Sequence, residues 1–532
     1  MNLFKAILLV STFLFGGCLQ QIEATPYVWV ADPMHIVMSD EKPGTNKLAR
    51  IWAAKGEYEP IQVVVSAPAK TLTDINFSVS ALKGPNGSIG QKHIKIWREH
   101  YVRVEKSSPS LGPPNLPLGP GLYPDALIPL GLSGTPITNL PSNFEAVKKG
   151  KNQPYWIDVF IPRDTPAGEY KGVCSIKTAQ GMAEVDIHLT VWNFELPHRP
   201  SLRSMFGVWD DHTNSTEVML RHKLMPWGSD YDNVNKIEYY DQKFGINTIA
   251  TGQWSGANMG NPRMSPAPMP QEWTKIEKSF PEKFRKMLCN YTADEIWDEK
   301  VLIDPVREWG RNIHNGSSIK NLVTMPPIPE LYDDGTGQPA VDIWAILPFQ
   351  AQDKDNKESI IHVMTSGCEV WSYTALMWDN YSPKWMIDFP LINYRIMPWI
   401  NQVYGFNGLL YWRVDQWSKD PWSSFGKENN HPGDGMLVYP GDPVGITNGV
   451  VPSLRLKMLR ESVEDYEYIE ILKSMGDEDF AMKTIKTVTK DWKNWTQDEK
   501  LLMHSRKILG ERIHYLKSQR ITPSSSDTSK LQ

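Results

Sequence analysis

The stretch 288–297 reads LCNYTADEIW, an apolar run that stops on two adjacent carboxylates, Asp294 and Glu295. Paired carboxylates serve reactions that need a proton donor beside a group that stabilises positive charge. Cleavage of a glycosidic bond is such a reaction. At the C-terminal end of a barrel strand, the pair would sit where (β/α)8 enzymes keep their chemistry. Adjacency alone decides little, because the chain carries 61 Asp and Glu residues. Glu461, Glu464, Asp465 and Glu467 are also clustered, and they read as a solvated helix face. Neighbouring strand residues point to opposite sides, so Asp294 and Glu295 can share a site only if the strand ends there. The helical-looking IWDEKV that follows fits such an ending.

The elements that must position this pair begin near residue 200. Short apolar strands at 202–209, 246–252, 288–294, 320–325, 341–347, 369–375 and 407–414 alternate with helical patterns such as 278–288, 299–314 and 388–404. That alternation predicts a parallel sheet with crossover helices. Seven strands, with an eighth expected within 210–245 or 253–285, predict a (β/α)8 TIM-type barrel over 200–475. A doubly wound open sheet is the alternative, and neither GxGxxG nor GxxxxGK[ST] supports nucleotide binding. No cofactor is therefore expected.

Before the barrel, 25–197 reads as an all-β sandwich: seven β-branched and aromatic runs separated by turns such as GPNG (84–87) and DTPAG (164–168). A Pro- and Gly-rich stretch at 107–145 interrupts them, long enough to be functional or to cover a neighbouring domain. After the barrel's closing helix, 452–474, comes a helical extension, 476–518, and a Ser/Thr/Lys-rich tail, 519–532, expected to be disordered.

A chain of 532 residues exceeds one ordinary core, consistent with this multidomain reading. The net charge of −5 provides no basic surface for a nucleic acid. The 21 Trp and 20 Tyr stand out, and such flat faces with a polar edge suit the C–H faces of sugar rings. The 12 His show no HExxH or comparable ligand pattern, and lone cysteines at 174, 289 and 368 make neither a disulfide framework nor a zinc cluster. No metal is expected. The N-terminus, MNLFKAILLVSTFLFGGC, has a basic residue, a short apolar region and then Cys18. It reads as an export signal of the lipoprotein type, residues 1–18, with Cys18 as the lipidated residue. Simple secretion with cleavage near Ala24 is the alternative. Either way the protein is exported, with the membrane reached only through a lipid anchor.

Several segments match a known pattern together: AAKGEYEPIQVVV (53–65), RHKLMPWG (221–228), YTADE (291–295), LVTMPP (322–327), VDIWAI (341–346), GFNGLLYW (405–412) and VPSLRLKMLRESVEDYEYIEIL (451–472). The series resembles glycoside hydrolase family 123 and its broader superfamily, which share a C-terminal domain of unknown function. The resemblance implies a β-sandwich followed by a catalytic (β/α)8 barrel. It implies a retaining, exo-acting β-N-acetylgalactosaminidase that works by substrate assistance, the sugar's 2-acetamido oxygen attacking the anomeric carbon. Glu295 would then be the general acid and later the base, and Asp294 would hold the acetamido N–H. Ile296 stands where relatives commonly carry proline.

Other candidates follow from strand ends. Tyr373 could hydrogen-bond the acetamido oxygen, and Trp344 and Trp412 could stack on a sugar. Asp415 and Trp417, after the last strand, are candidates for a hydroxyl contact and a platform. Arg221, His222, Trp209 and Asp210 are further substrate-binding candidates, and Asp342 is expected at the stability face of the barrel. Two rival readings remain at this point: a glycosidase with a separate nucleophile such as Asp415, and a surface glycan-binding protein without catalysis.

Overall fold

The computed structural model describes residues 26–131, 146–210, 212–228, 231, 233–297, 299–376, 378–426 and 430–519. The export signal with Cys18 and the tail beyond 519 lie outside the described residues.

The N-terminal domain is a β-sandwich of two sheets. One runs Tyr27–Ala31, Tyr58–Ser66, Asn152–Phe160, Ile94–Val104, with Gly121–Leu130 also paired to Ile94–Val104. The other runs Leu48–Lys55, Gly181–Glu195, Gly168–Thr178, Leu82–Gly84, Gly87–Ile89, with Asn76–Val79 on Gly168–Thr178. Alternating Val, Ile and Phe side chains from both sheets interleave as its core. The stretch 107–145 is not all loop: Gly121–Leu130 is a buried strand. Its prolines hid this, and Pro124 and Pro129 are tolerated because the strand lies beside only one neighbour in the sheet.

From residue 203 the chain forms an eight-stranded parallel, nearly closed barrel. Its strands in chain order are Arg203–Gly207, Pro226–Trp227, Ile249–Ala250, Leu288–Ala293, Lys320–Thr324, Ile343–Ile346, Glu369–Tyr373 and Gly408–Tyr411. The second strand, expected within 210–245 or 253–285, is the two-residue Pro226–Trp227. Two residues carry no periodicity, which is why the sequence did not locate it. The helical pattern at 278–288 is displaced: the helices are Pro270–Ser279 and Glu282–Arg285, with Pro281 between them.

The closing helix Leu454–Ser474 starts on Ser453, whose side chain accepts from Leu456 N–H. Its acids are not a solvated face. Glu461, Glu464, Asp465 and Glu467 are all buried, because this helix fills the angle between both domains and meets a cation or donor at each turn. Asp465 takes a bidentate bond from Arg395, at 2.7 and 2.8 Å, and a third from Trp399. Glu467 accepts from Ser201. On the sandwich side, Asp125 pairs with Arg455 and Asp158 with Arg460 and Lys457. Glu57 and Glu59 meet Arg506 of the last helix, Glu499–Gln519. These buried pairs fix how the sandwich sits on the barrel.

Candidate active site

Seven of the eight barrel strands, or the turns just after them, deliver a residue to one cavity of about 1340 Å³ at the C-terminal end of the barrel. Trp209 follows the first strand, Trp227 ends the second, Trp254 follows the third, Tyr291 lies in the fourth, and Asp294 and Glu295 follow it. Leu347 and Phe349 follow the sixth, Tyr373 ends the seventh, and Trp412 and Asp434 follow the eighth. The fifth reaches the cavity only indirectly, through buried Thr324, whose hydroxyl lies 2.7 Å from that of Tyr291.

The backbone resolves how two consecutive acids face one space. The register with the fifth strand slips between Tyr291 and Ala293, a β-bulge. Asp294 N–H then leaves the sheet and donates to Ala257 C=O at 3.1 Å. Glu295 takes φ +53, a left-handed conformation rare for a residue with a side chain. The alternation of the strand is thereby broken at the one place where the chemistry requires it. Ile296, at the position of the usual proline, is buried against the layer outside the strands.

The two carboxyl groups have different surroundings. Tyr291 donates to Asp294 Oδ1 at 2.7 Å, and the Tyr291 and Thr324 hydroxyls lie 2.7 Å apart. Burial raises the Asp294 carboxyl above its usual range, and the bonds from Tyr291 and Thr324 pull against that. Glu295 is pushed up to about 7, first by burial and then by the negative Asp294 beside it, with a hydrogen bond from Tyr373 opposing. Burial is the larger cause, and like-charge repulsion adds to it. The arrangement can hold a protonated carboxyl next to an ionised one near neutral pH.

A third carboxyl, Asp434, was not anticipated. Burial pushes it up to about 6, against hydrogen bonds from the Trp412 indole and the Tyr411 hydroxyl, and Gly435 N–H donates to that hydroxyl at 2.8 Å. Gly435 has φ +66, and a Cβ there would lie 2.3 Å from the Trp412 ring, so only glycine lets that indole lie against the loop. Asp434 sits in the loop segment HPGDG, with no strand or helix pattern to flag it. Trp227 and Trp254 were also missed; they flank Tyr291 edge-on, each with ring centroids 5.6 Å away. Trp227 Nε1 is buried with no partner among the described residues.

The remaining sequence candidates divide. Tyr373, Trp412 and Trp209 line the cavity. Trp344 does not: it points into the layer between strands and helices, while Ile343 and Ala345 face the barrel interior. Asp415 is buried off the cavity wall, accepting from Trp209 N–H and Asp210 N–H and pairing with Arg413 at 2.8 Å. Asp210 also pairs with Arg413, at 3.0 Å, outside the cavity lining. Trp417 donates to Val438 C=O and packs on His212, also away from it. Arg221 and His222 end a helix and line a separate cavity of about 560 Å³ between the domains. From the motif RHKLMPWG it is Trp227, the strand residue, that reaches the site. Asp342 begins its strand at the opposite rim, accepting from Asn321 N–H and lying 2.9 Å from His314. Among the described residues no group of three or more His, Cys, Asp or Glu side chains is placed to hold a metal ion.

Comparison with known proteins now adds to this geometry. Residues 222–472 match the catalytic domain of glycoside hydrolase 123, and residues 37–178 match the glycoside hydrolase 123 N-terminal domain. The chain belongs to glycoside hydrolase family 123. A family 123 glycoside hydrolase from Clostridium perfringens, solved in a study of glycolipid glycan hydrolysis, is similar in fold. It aligns with TM-score 0.67 and 15% identity, covering 93% of this chain and 99% of that one. β-Glucuronidases of Parabacteroides merdae and Bacteroides uniformis align over 77% and 79% of this chain and half of theirs, each at 10% identity. Their TM-scores of 0.27 and 0.25 carry no argument. No curated protein matches. Family membership makes the barrel that of a glycosidase, and the cavity with its paired acids is where a family 123 enzyme has room for a glycan.

Proposed function

We propose that this family 123 enzyme is a retaining, exo-acting glycosidase that removes β-linked N-acetylgalactosamine or a close relative by substrate assistance. The observation that carries the reading is the pair Asp294 and Glu295 in one cavity, one acid raised to about 7 and the other gripped by Tyr291. Protonated Glu295 gives its proton to the glycosidic oxygen as the C1–O bond breaks. The 2-acetamido oxygen closes on C1, forming an oxazolinium ion and displacing the aglycone alcohol. Asp294 accepts the acetamido N–H and balances the positive ring. Tyr373, released from Glu295, donates to the acetamido oxygen and orients it. Glu295, now a carboxylate, takes a proton from water as that water attacks C1, which restores the acetamide and gives the same anomeric configuration as the substrate.

The reading in which Asp415 is a covalent nucleophile loses support, since both of its oxygens are engaged by backbone N–H groups and Arg413 away from the cavity. Aryl β-glycosides with and without a 2-acetamido group test the proposal directly. Turnover confined to the 2-acetamido series, with inhibition by a thiazoline mimic of the oxazoline, is the expected result. A trapped covalent glycosyl-enzyme would replace it with the two-step carboxylate mechanism, and binding without turnover would replace it with a glycan-binding role. The proposal includes export, with Cys18 as a lipid anchor, which radiolabelled fatty acid incorporated into wild type and not into Cys18→Ala checks.

A further inference from the structure

The first barrel helix, Ser215–Arg221, faces the sandwich across a second cavity of about 560 Å³. Its other walls come from the strand Ile94–Val104, the closing helix Leu454–Ser474 and the segment just before that helix. It shares no lining residue with the catalytic cavity. The motif RHKLMPWG therefore serves two places: Trp227 reaches the catalytic cavity, whereas Arg221 and His222 reach this one.

Charge sets this cavity apart. Five Lys or Arg side chains line it against one carboxylate, Asp158, in a chain whose net charge is −5. Asp158 is already engaged: Lys457 donates to it at 2.6 Å and Arg460 at 2.8 and 3.0 Å, all three side chains almost fully buried. The remaining cations have little to balance them. Arg221 pairs with Glu217, a carboxylate it shares with Lys243, and Lys92 and Lys95 form no ion pair among the described residues. An anion between Arg221 and Lys95 relieves their mutual repulsion.

Two further features narrow the choice of anion. His222 is 4% exposed, and its Nδ1 lies 2.6 Å from Val218 C=O. A carbonyl only accepts, so Nδ1 carries the proton. Burial first, and then the charges of Lys457 and Arg460, hold His222 well below the usual imidazole range, so it is neutral. Nε2 is then an acceptor, buried without a donor among the described residues. A hydroxyl can meet it, and a carboxylate or sulfate cannot. The rest of the wall is apolar, from Ile96, Leu130, Val218, Ile446 and Val451. An inorganic anion leaves that wall uncovered, a fatty acid leaves Nε2 without a donor, and a neutral sugar leaves the cations unpaired. A sugar ring that bears an anionic group supplies all three contacts. The volume lies within the roughly 300–1,000 Å³ of small-ligand sites.

We infer that this seam between sandwich and barrel binds an acidic sugar, its anionic group against Arg221 and Lys95, its ring on the apolar wall and a hydroxyl toward His222. The site stands apart from the catalytic cavity and does not depend on what is hydrolysed there.

Isothermal titration calorimetry on the full chain tests this with methyl β-D-glucuronide, galactose 6-sulfate, methyl β-D-glucoside and sodium sulfate. At least one of the two acidic sugars binds, and the neutral glucoside binds at least about tenfold more weakly. Which acidic sugar binds distinguishes a carboxylate from a sulfate ester. Lys95→Gln and Arg221→Gln each weaken that binding several-fold, and together about tenfold or more. Both side chains reach solvent, so these substitutions spare the core. Unchanged affinity in the double variant overturns the site, as does failure of both acidic sugars to bind. Sodium sulfate bound as tightly as the acidic sugars means an adventitious ion only, which overturns it as well.

Discussion

Tyr373, at the end of the seventh barrel strand, donates a hydrogen bond to Glu295, at the end of the fourth. This bond stabilises the ionised form of Glu295, whereas the neighbouring Asp294 and burial oppose it. The proton affinity of the acid is thus set by three separable contributions, two of which a single substitution removes.

A general acid must be protonated, so kcat/KM falls as pH rises through the Glu295 value of about 7. Tyr373→Phe removes a donor to the carboxylate, so it raises that value and moves the alkaline limb upward. Asp294→Asn removes the adjacent negative charge, so it moves the limb of the residual activity downward. The pH dependence of kcat/KM on an aryl 2-acetamido glycoside measures both. Shifts of the same sign would refute this division of effects.

Glu295→Gln keeps the shape of the side chain and removes its proton. Turnover of a substrate with a poor leaving group falls by about 10²–10⁴-fold. A substrate with a strongly acidic phenol as leaving group needs less protonation and loses less. Steady-state kinetics on two aryl glycosides of differing phenol acidity check this, and equal losses on both would remove Glu295 as the acid.

The parts of this site that the sequence declared were those written as pattern. The barrel alternation and the paired acids are regular features of the chain, and they were legible. Trp344 was misread because a strand end was taken as a site position without asking which face the pleat presents; Ile343 and Ala345 point inward and Trp344 outward. Asp434 lies in a loop with no periodicity, and only the fold brings it beside Trp412. The acids of the closing helix were misread for a different reason. Burial of a charge depends on partners tens to hundreds of residues away, such as Arg395 on Asp465 or Lys223 on Glu464, and no local spacing records them.

Asp434 acts on the indole it holds. Its carboxylate accepts from Trp412, whose ring forms part of the cavity wall. Asp434→Ala frees that ring and raises KM for an aryl glycoside about tenfold, with a smaller change in kcat. Asp434→Asn restores most of the affinity, because the amide oxygen still accepts the indole N–H. Failure of the amide to rescue would mean that the negative charge itself meets the substrate.

The seam between the domains makes a prediction about stability. Arg455 forms a bidentate pair with Asp125, both N···O distances 2.9 Å, and Gly433 C=O takes a further bond. Both side chains are almost fully buried. Asp125 also accepts from Tyr439 at 2.6 Å. Removing the cation alone leaves a carboxylate in a dry interface, which costs about 3–5 kcal/mol, whereas replacing both members by apolar residues of similar size costs far less. Arg455→Ala therefore lowers the thermal unfolding midpoint markedly, and Arg455→Met combined with Asp125→Leu recovers much of the loss. The non-additivity is the diagnostic: it separates an uncompensated charge from simple loss of packing, which would make the double variant at least as unstable as the single one. Differential scanning calorimetry on the single and double variants supplies the comparison.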